Sequence, residues 1–247
     1  MPKILFVLIA ITLILCSCSQ SADEIYTETI EESKICYVKS YLNIDEIIFL
    51  GESTTFHLKS RGVLSGGTST KQVWAPQSGT LMLDSATSEC RIIYPDTNEE
   101  IPFLTALEMK RPKYIMLTFG LNGATNFIKR GESYFKYCYQ KLADEIARAS
   151  DSTEIIINSC FPVAADMNMQ RYNIDAKTLN AYIDQINAWA KDLALENGFI
   201  YVNTADTLKD SNGFLDSSLQ MSDGYHLNAN AYRKILAILK NTEINGE

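Results

Sequence analysis

Ser53 is the first residue whose position in the sequence suggests chemistry. It follows four apolar residues, 47–50, which are typical of a short buried strand, and Gly51 permits a tight turn where the chain leaves that strand. A hydroxyl at the carboxyl end of a strand, beside helix-start amides that favour negative charge, is well placed for nucleophilic attack. The alternative is that Ser53 only caps a helix, which is the commoner role of serine after a strand.

Asp223 and His226 lie near the carboxyl terminus in a loop that contains a glycine. A carboxylate three residues before an imidazole can fold back to its Nδ1 hydrogen, which fixes the tautomer and leaves Nε2 free to act as a base. The chain has only two histidines. We interpret His57 as a substrate-side or surface residue, because no carboxylate is positioned by sequence to orient it.

Two further positions are candidates for stabilising an oxyanion. Asn122 comes just after the strongest apolar segment of the chain, where its amide could donate a hydrogen bond to developing negative charge. The alternative for Asn122 is an ordinary Asn-Gly turn. Gly79 follows a weaker strand candidate and offers a backbone amide, although Gly66 and Gly67 are rivals for that role.

Predicted strands and predicted helices alternate along the chain, and they would position these candidate residues. Short apolar runs predict strands, and amphipathic spacing with turn signals predicts helices. The long stretch 161–175 has no predicted structure, and loops of this length are often functional. The predicted strands are 47–50, 72–75, 114–119, 155–157 and 199–202, and the predicted helices are 54–59, 101–110, 133–149, 178–196 and one beginning near Asn228.

This alternation predicts an α/β fold with a parallel sheet covered by helices on both faces. Parallel sheets bind ligands beyond the carboxyl ends of their strands, where every candidate residue above is expected to lie. The chain has the length of one domain, which we assign to residues 45–247. A net charge of −8 argues against a nucleic-acid partner.

The amino terminus is predicted to be a targeting segment. Lys3 precedes an apolar run that is too short to span a bilayer comfortably but has the length of a signal-peptide core. The sequence Leu15-Cys16-Ser17-Cys18 resembles the lipobox of bacterial lipoproteins, which implies cleavage before Cys18 and acylation of that residue. The alternative is an ordinary secretory signal. We therefore predict a signal peptide over 1–18, a polar tether and lead-in over 19–44, and anchoring to an extracytoplasmic membrane surface.

Four cysteines remain beyond this segment, and none forms a Cys-x-x-Cys pair. With so few histidines a zinc site is not indicated, so we expect no metal. Buried free thiols are the default expectation for these cysteines, which are Cys36, Cys90, Cys138 and Cys160.

Taken together, these residues resemble the SGNH (GDSL) hydrolase family of esterases and acylhydrolases. The resemblance implies a flavodoxin-like, three-layer α/β/α sandwich with a five-stranded parallel sheet. It also implies a serine nucleophile, an Asp–His pair, an oxyanion hole formed by Ser53, Gly79 and Asn122, and no cofactor. The matching motifs are Gly51-Glu52-Ser53, Gly79, Gly120-Leu121-Asn122-Gly123 and Asp223-Gly224-Tyr225-His226.

Two positions depart from the family pattern. Glu52 replaces the usual Asp and adds a methylene in a tight turn, and Gly123 replaces the Asp that follows Asn122. The predicted function is that of an extracytoplasmic serine esterase acting on an ester-bearing substrate such as an acylated polysaccharide. Two alternatives remain open, which are acyl transfer to sugar hydroxyls and an inactive surface protein that binds glycan.

Overall fold

The computed structural model describes residues 40–85, 90–168 and 172–244 of the chain. The predicted signal peptide, the tether as far as residue 39, the lipidation site Cys18 and the thiol of Cys36 lie outside these residues. No helix in the described part of the chain combines the length and the apolar character needed to cross a membrane.

A parallel sheet of five strands forms the centre of the fold, with the strands at 73–74, 47–51, 114–118, 154–158 and 200–202 side by side in that order. The prediction of an α/β fold with five parallel strands is therefore confirmed. The strands are β1 (Ser40–Tyr41), β2 (Ile47–Gly51), β3 (Val73–Trp74), β4 (Arg91–Ile93), β5 (Glu100–Pro102), β6 (Tyr114–Thr118), β7 (Glu154–Asn158), β8 (Ile200–Val202) and β9 (Glu243–Ile244).

Helices cover both faces of the sheet, and strand residues alternate between two hydrophobic layers, as the two-residue period of a strand requires. Ile48, Leu50 and Ile115 pack with the four helices between residues 103 and 197, whereas Phe49 and Met116 pack with the helices at 53–60 and 229–240. This arrangement is a three-layer sandwich. The helices are α1 (Ser53–Ser60), α2 (Phe103–Lys110), α3 (Ala124–Arg130), α4 (Glu132–Ala149), α5 (Ala176–Asn197) and α6 (Ala229–Lys240).

The sequence prediction did not include β1, β4, β5, β9 or α3. Residues 101 and 102 belong to β5, which pairs with β4 in an antiparallel hairpin, so the helix predicted over 101–110 begins only at Phe103. The short helix α3 was not predicted, because its seven residues include few strong helix formers. It forms because Phe127 is buried against the aromatic rings of α4.

The first and last strands pair with each other at the amino-terminal edge of the sheet. Ser40 and Tyr41 of β1 are antiparallel to β9, and the Leu42 N–H donates to the carbonyl of Thr242. Leu42 and Ile44 are buried, so the chain is already packed before β2 begins. Ser53 lies at the opposite, carboxyl-terminal edge.

Candidate active site

The candidate nucleophile lies where β2 turns into α1. Ser53 is the first residue of α1, two positions after the end of β2, and its side chain is partly exposed. A Cβ at Gly51 would lie 2.4 Å from both the Thr118 carbonyl oxygen and the Thr55 hydroxyl. Only glycine therefore fits this turn, which fixes the direction in which Ser53 leaves the sheet.

Ser53, His226 and Asp223 form a continuous hydrogen-bonded row. The Ser53 Oγ is 3.0 Å from Nε2 of His226, across 173 positions of sequence. The His226 Nδ1 is 2.6 Å from Oδ2 of Asp223. An imidazole held by a carboxylate on one nitrogen and bonded to a hydroxyl by the other can accept the hydroxyl proton as that oxygen attacks.

The loop that carries Asp223 is held in one conformation by its own hydrogen bonds and by packing. The second carboxylate oxygen of Asp223 accepts from the N–H groups of Tyr225 and His226, at 3.1 and 2.9 Å. Gly224 has φ +78°, and a Cβ there would lie 2.4 Å from the Met167 Cα. Partial burial acts to raise the pKa of Asp223, but the hydrogen bonds from His226 and Tyr225 outweigh it and leave the pKa lowered.

Asn122 lies in the turn between β6 and α3, at the same edge as Ser53. Its Nδ2 donates to the Thr80 hydroxyl at 3.2 Å. Thr80 is next to Leu81, whose N–H donates to the Gly51 carbonyl at 3.1 Å. The Asn122 amide is therefore held beside the turn that leads to the nucleophile.

Gly79 lies at this edge as well, directly after the turn that follows β3. It has φ +74°, and a Cβ at this position would lie 3.3 Å from the ring of Phe56. Its N–H donates to the Pro76 carbonyl at 2.9 Å, so that an oxyanion would have to displace this acceptor. Gly66 and Gly67 lie between the end of α1 and the start of β3, at the opposite edge of the sheet.

Glu52 accounts for one of the two departures from the family pattern. Its side chain is 3 % exposed, and its Oε1 accepts from the backbone N–H groups of Gly120 and Asn122 at 2.9 and 3.1 Å. The Oε2 atom also accepts from the Asn122 N–H, at 3.2 Å. The longer side chain of Glu52 thus braces the turn that presents Asn122.

Gly123 accounts for the other departure. A Cβ at this position would lie 2.3 to 3.0 Å from ring atoms of Phe127. That ring is fully buried between Tyr134 and Phe135 and cannot move aside cheaply. An aspartate cannot be accommodated here, and the bracing of the turn comes from Glu52 instead.

Glu52→Asp is expected to weaken both folding and turnover. Shortening the side chain by one methylene withdraws the carboxylate from the two amides, and hydrogen bonds to a charged group contribute roughly 1.5–3 kcal/mol. We expect a loss of unfolding free energy of about that size and a fall in kcat of about tenfold, less than complete removal of an oxyanion donor causes. Urea unfolding and ester hydrolysis measure the two effects. Glu108→Asp, at an exposed position of α2, is the control, and equal behaviour of the two variants would contradict the bracing role.

The second histidine lies against the first. The ring centroids of His57 and His226 are 4.4 Å apart, and the Tyr225 ring is 4.6 Å from His226. Burial, followed by the nearby His226 and Arg61, lowers the pKa of His57 from 6.5 to about 4. His57 is therefore neutral at neutral pH, and it contacts the candidate base rather than lying apart from it.

The lowered pKa of His57 predicts a loss of stability in mild acid. Between pH 6.5 and about 4, the unfolded chain binds a proton at His57 that the folded chain does not bind. The free energy of unfolding therefore falls as the pH falls through this window. We expect His57→Gln, which cannot titrate, to lose less stability than the wild type between pH 7 and pH 5. Thermal melts across this range test the prediction, and parallel curves for the two proteins would contradict it.

Three of the four cysteines are described, and all three are free and buried, which confirms the expectation for them: Cys90, Cys138 and Cys160. Burial raises the pKa of Cys90 to about 11, and it also raises the pKa of the other two thiols. None is a candidate nucleophile, because the thiolate form is disfavoured. Across residues 40–85, 90–168 and 172–244, no cluster of three ligating side chains is arranged to hold a metal ion.

A family model for the GDSL-like lipase/acylhydrolase family matches residues 49–234, which is well over half of the chain. The chain belongs to this family. Its class is therefore that of the carboxylic ester hydrolases, as the resemblance of the motifs implied. No curated protein matches the chain.

Solved structures support the same fold at low sequence identity. An inferred SGNH hydrolase from Slackia heliotrinireducens is similar with a TM-score of 0.55 at 15 % identity, over 79 % of this chain and 97 % of that one. A GDSL-like lipase from Bacteroides thetaiotaomicron is similar with a TM-score of 0.51 at 15 % identity, over 82 % of this chain and 90 % of that one. The fold of this GDSL-like protein is thus SGNH hydrolase-like.

The structure brings together Ser53, Asp223, His226 and, at the same edge, Asn122 and Gly79. Sequence reasoning did not find that Glu52 braces the Asn122 turn or that Thr80 bonds the Asn122 amide. No signal in the sequence indicates the Thr80 contact. The position of His57, one helical turn after Ser53, was the signal that could have placed its ring beside His226.

Proposed function

We propose that the protein is an extracytoplasmic serine esterase that removes an acyl group, such as acetyl, from a surface glycan or another ester. Membership of the GDSL-like family supplies the reaction class. The single observation that supports the assignment of residues is the row Ser53–His226–Asp223, with distances of 3.0 and 2.6 Å.

In the proposed reaction, the Ser53 Oγ attacks the ester carbonyl carbon while Nε2 of His226 takes the hydroxyl proton. The resulting tetrahedral intermediate collapses when the carbon–oxygen bond to the alcohol breaks, and His226 returns the proton to the departing alcohol. Water then attacks the acyl-Ser53 by the same route and releases the acid. Asp223 orients the His226 ring and stabilises its protonated form. No cofactor is required.

The proposed oxyanion hole consists of the Ser53 N–H, the Gly79 N–H and the Asn122 side chain. The Ser53 N–H belongs to the first turn of α1, whose amides have no acceptor within the helix. The Asn122 amide is supported by its fixed turn and its bond to Thr80. The Gly79 N–H takes part after exchanging its Pro76 acceptor for the oxyanion.

The proposed location depends on Leu15-Cys16-Ser17-Cys18 alone, which lies outside the described residues. A lipid on Cys18 would anchor the protein to the membrane, with its ester-bearing substrate, such as an acylated polysaccharide, at the cell surface. The expected result is that the mature protein fractionates with membranes and carries acyl chains at Cys18. Cys18→Ala should release it or leave it unprocessed. Secretion of the wild type without acylation would contradict the location.

A substrate screen tests the proposed function. Protein lacking residues 1–18 is assayed on p-nitrophenyl esters of increasing chain length and on acetylated glycans, with Ser53→Ala as the control. Release of free acid by the wild type alone supports hydrolysis. Transfer of the acyl group to an added glycan, in place of acid release, would show acyl transfer instead. A folded wild type that binds glycan but does not react with a fluorophosphonate would contradict an enzymatic role.

A further inference from the structure

One face of α1 carries a polar row that begins with the nucleophile. Ser53, His57 and Arg61 are spaced four residues apart, so they lie on the same side of the helix and its final turn. The loop that contains His226 runs along this row. His226 bonds Ser53 and packs on His57, and the carbonyl of the next residue, Leu227, accepts a hydrogen bond of 3.4 Å from Nε of Arg61.

His57 occupies its position at an energetic cost that a purely apolar residue would avoid. Its Nδ1 is inaccessible to solvent and has no hydrogen-bond partner among the described residues. Leaving such an atom unsatisfied destabilises the folded chain, because the lost hydrogen bonds to water are not replaced. A buried polar group without a partner calls for an explanation other than stability, and the nearest functional group is the ring of His226.

Arg61 contributes to the same loop from the end of α1. Arg61 forms no ion pair within the described residues, unlike several surface lysines, each of which contacts a carboxylate. Its long hydrogen bond to the Leu227 carbonyl is weaker than the bonds that hold Asp223 to His226. We therefore expect Arg61 to act as a secondary support and the His57 ring as the main one.

We propose that His57 and Arg61 are positioning residues that hold the His226 loop against α1, so that one helix carries both the nucleophile and the support for its base. The proposal rests on the assignment of Ser53 and His226 under the proposed function. His57 limits tilting of the His226 ring on its side, and Arg61 fixes the backbone that follows. The Ser53–His226 bond then keeps its length, because the single bond from Asp223 to Nδ1 does not by itself prevent the His226 ring from tilting.

The test compares variants of the row with a matched variant on the other side of the helix. We expect His57→Ala to lower kcat about tenfold with KM unchanged, less than the roughly 10²-fold that a full ångström of misplacement can cost. His57→Phe keeps a ring against His226 and should restore most of kcat. Arg61→Met should lower kcat by a smaller factor, and Lys59→Met, which removes a cation from the same helix, should leave kcat unchanged. The rate of Ser53 labelling by a fluorophosphonate should follow kcat in each variant.

The kcat and the rate of Ser53 labelling distinguish a positioning role from a merely structural one, because a structural role would change only the melting temperature. His57→Ala or His57→Phe with the wild-type kcat and labelling rate, even with a lower melting temperature, would overturn it. A raised KM at unchanged kcat would overturn it in favour of substrate contact, and failure of His57→Phe to exceed His57→Ala would refute ring support. A wild type that fluorophosphonate does not label would overturn the proposed function as well, whereas normal labelling of every variant would overturn only this inference.

Discussion

Turnover is expected to be nearly abolished in His226→Ala, with kcat lower by about 10⁶, the loss seen when the histidine base of a serine protease triad is removed. The reason is that Ser53 would lose the group 3.0 Å away that takes its proton. The measurement is the rate of p-nitrophenyl ester hydrolysis by purified protein, with melting temperature as a check on folding.

The other histidine provides the contrast for this experiment. His57 contacts the His226 ring and not the serine hydroxyl, so His57→Ala should keep about a tenth of the wild-type kcat. An active His226→Ala together with an inactive His57→Ala would mean that the base has been assigned to the wrong residue.

Asn122→Ala is expected to give the second largest effect. An amide that donates only to the tetrahedral oxyanion lowers the barrier without strengthening substrate binding, so its removal should leave KM almost unchanged. We expect kcat to fall by about 10²–10³, or roughly 3–4 kcal/mol, as for other side-chain donors to an oxyanion. Steady-state kinetics on a short-chain ester measure both constants.

Thr80→Val is the matched variant for Asn122. It keeps the volume of the side chain but removes the hydroxyl that accepts from Nδ2 of Asn122 at 3.2 Å, so it should loosen the amide without deleting it. Its loss of kcat should therefore be smaller than that of Asn122→Ala. If Asn122→Ala instead melts at a much lower temperature and retains its kcat, the residue serves the Asn-Gly turn and not the chemistry.

The central sheet could be predicted because its strands are buried on both faces and read as short apolar runs. The β4–β5 hairpin could not, because Ile101 and Leu104 are three residues apart and continue the helical spacing of the residues that follow. Only the pairing of Ile92 with Ile101 decides between them, and that pairing depends on how the intervening turn folds back. Helix α3 was missed for a related reason, since burial of Phe127 and not local propensity stabilises it.

The reacting residues of the candidate site could be found from sequence because each follows an element boundary in a recognisable motif. The residues that hold these reacting residues in place could not be found in the same way. Glu52 and Gly123 look like separate weaknesses in the family pattern, yet in the structure the Glu52 carboxylate bonds the Asn122 N–H, and Phe127 fills the space above Gly123. Glu52 and Phe127 compensate for the two departures through contacts between different elements. The spacing of motifs along the sequence does not reveal such contacts.

The pairing of β1 with β9 has a practical consequence for handling the enzyme. Paired strands lie about 4.8 Å apart, so the two ends of the described chain emerge side by side, and a five-residue strand of about 17 Å separates their edge from that of Ser53. A purification tag, a resin or a fusion partner attached directly at Ser40 or Ile244 would thus begin at the edge of the sheet opposite the reacting serine. A short linker between the ends would also permit a circularly permuted enzyme, opened in the exposed turn between β4 and β5, with the catalytic sheet uncut.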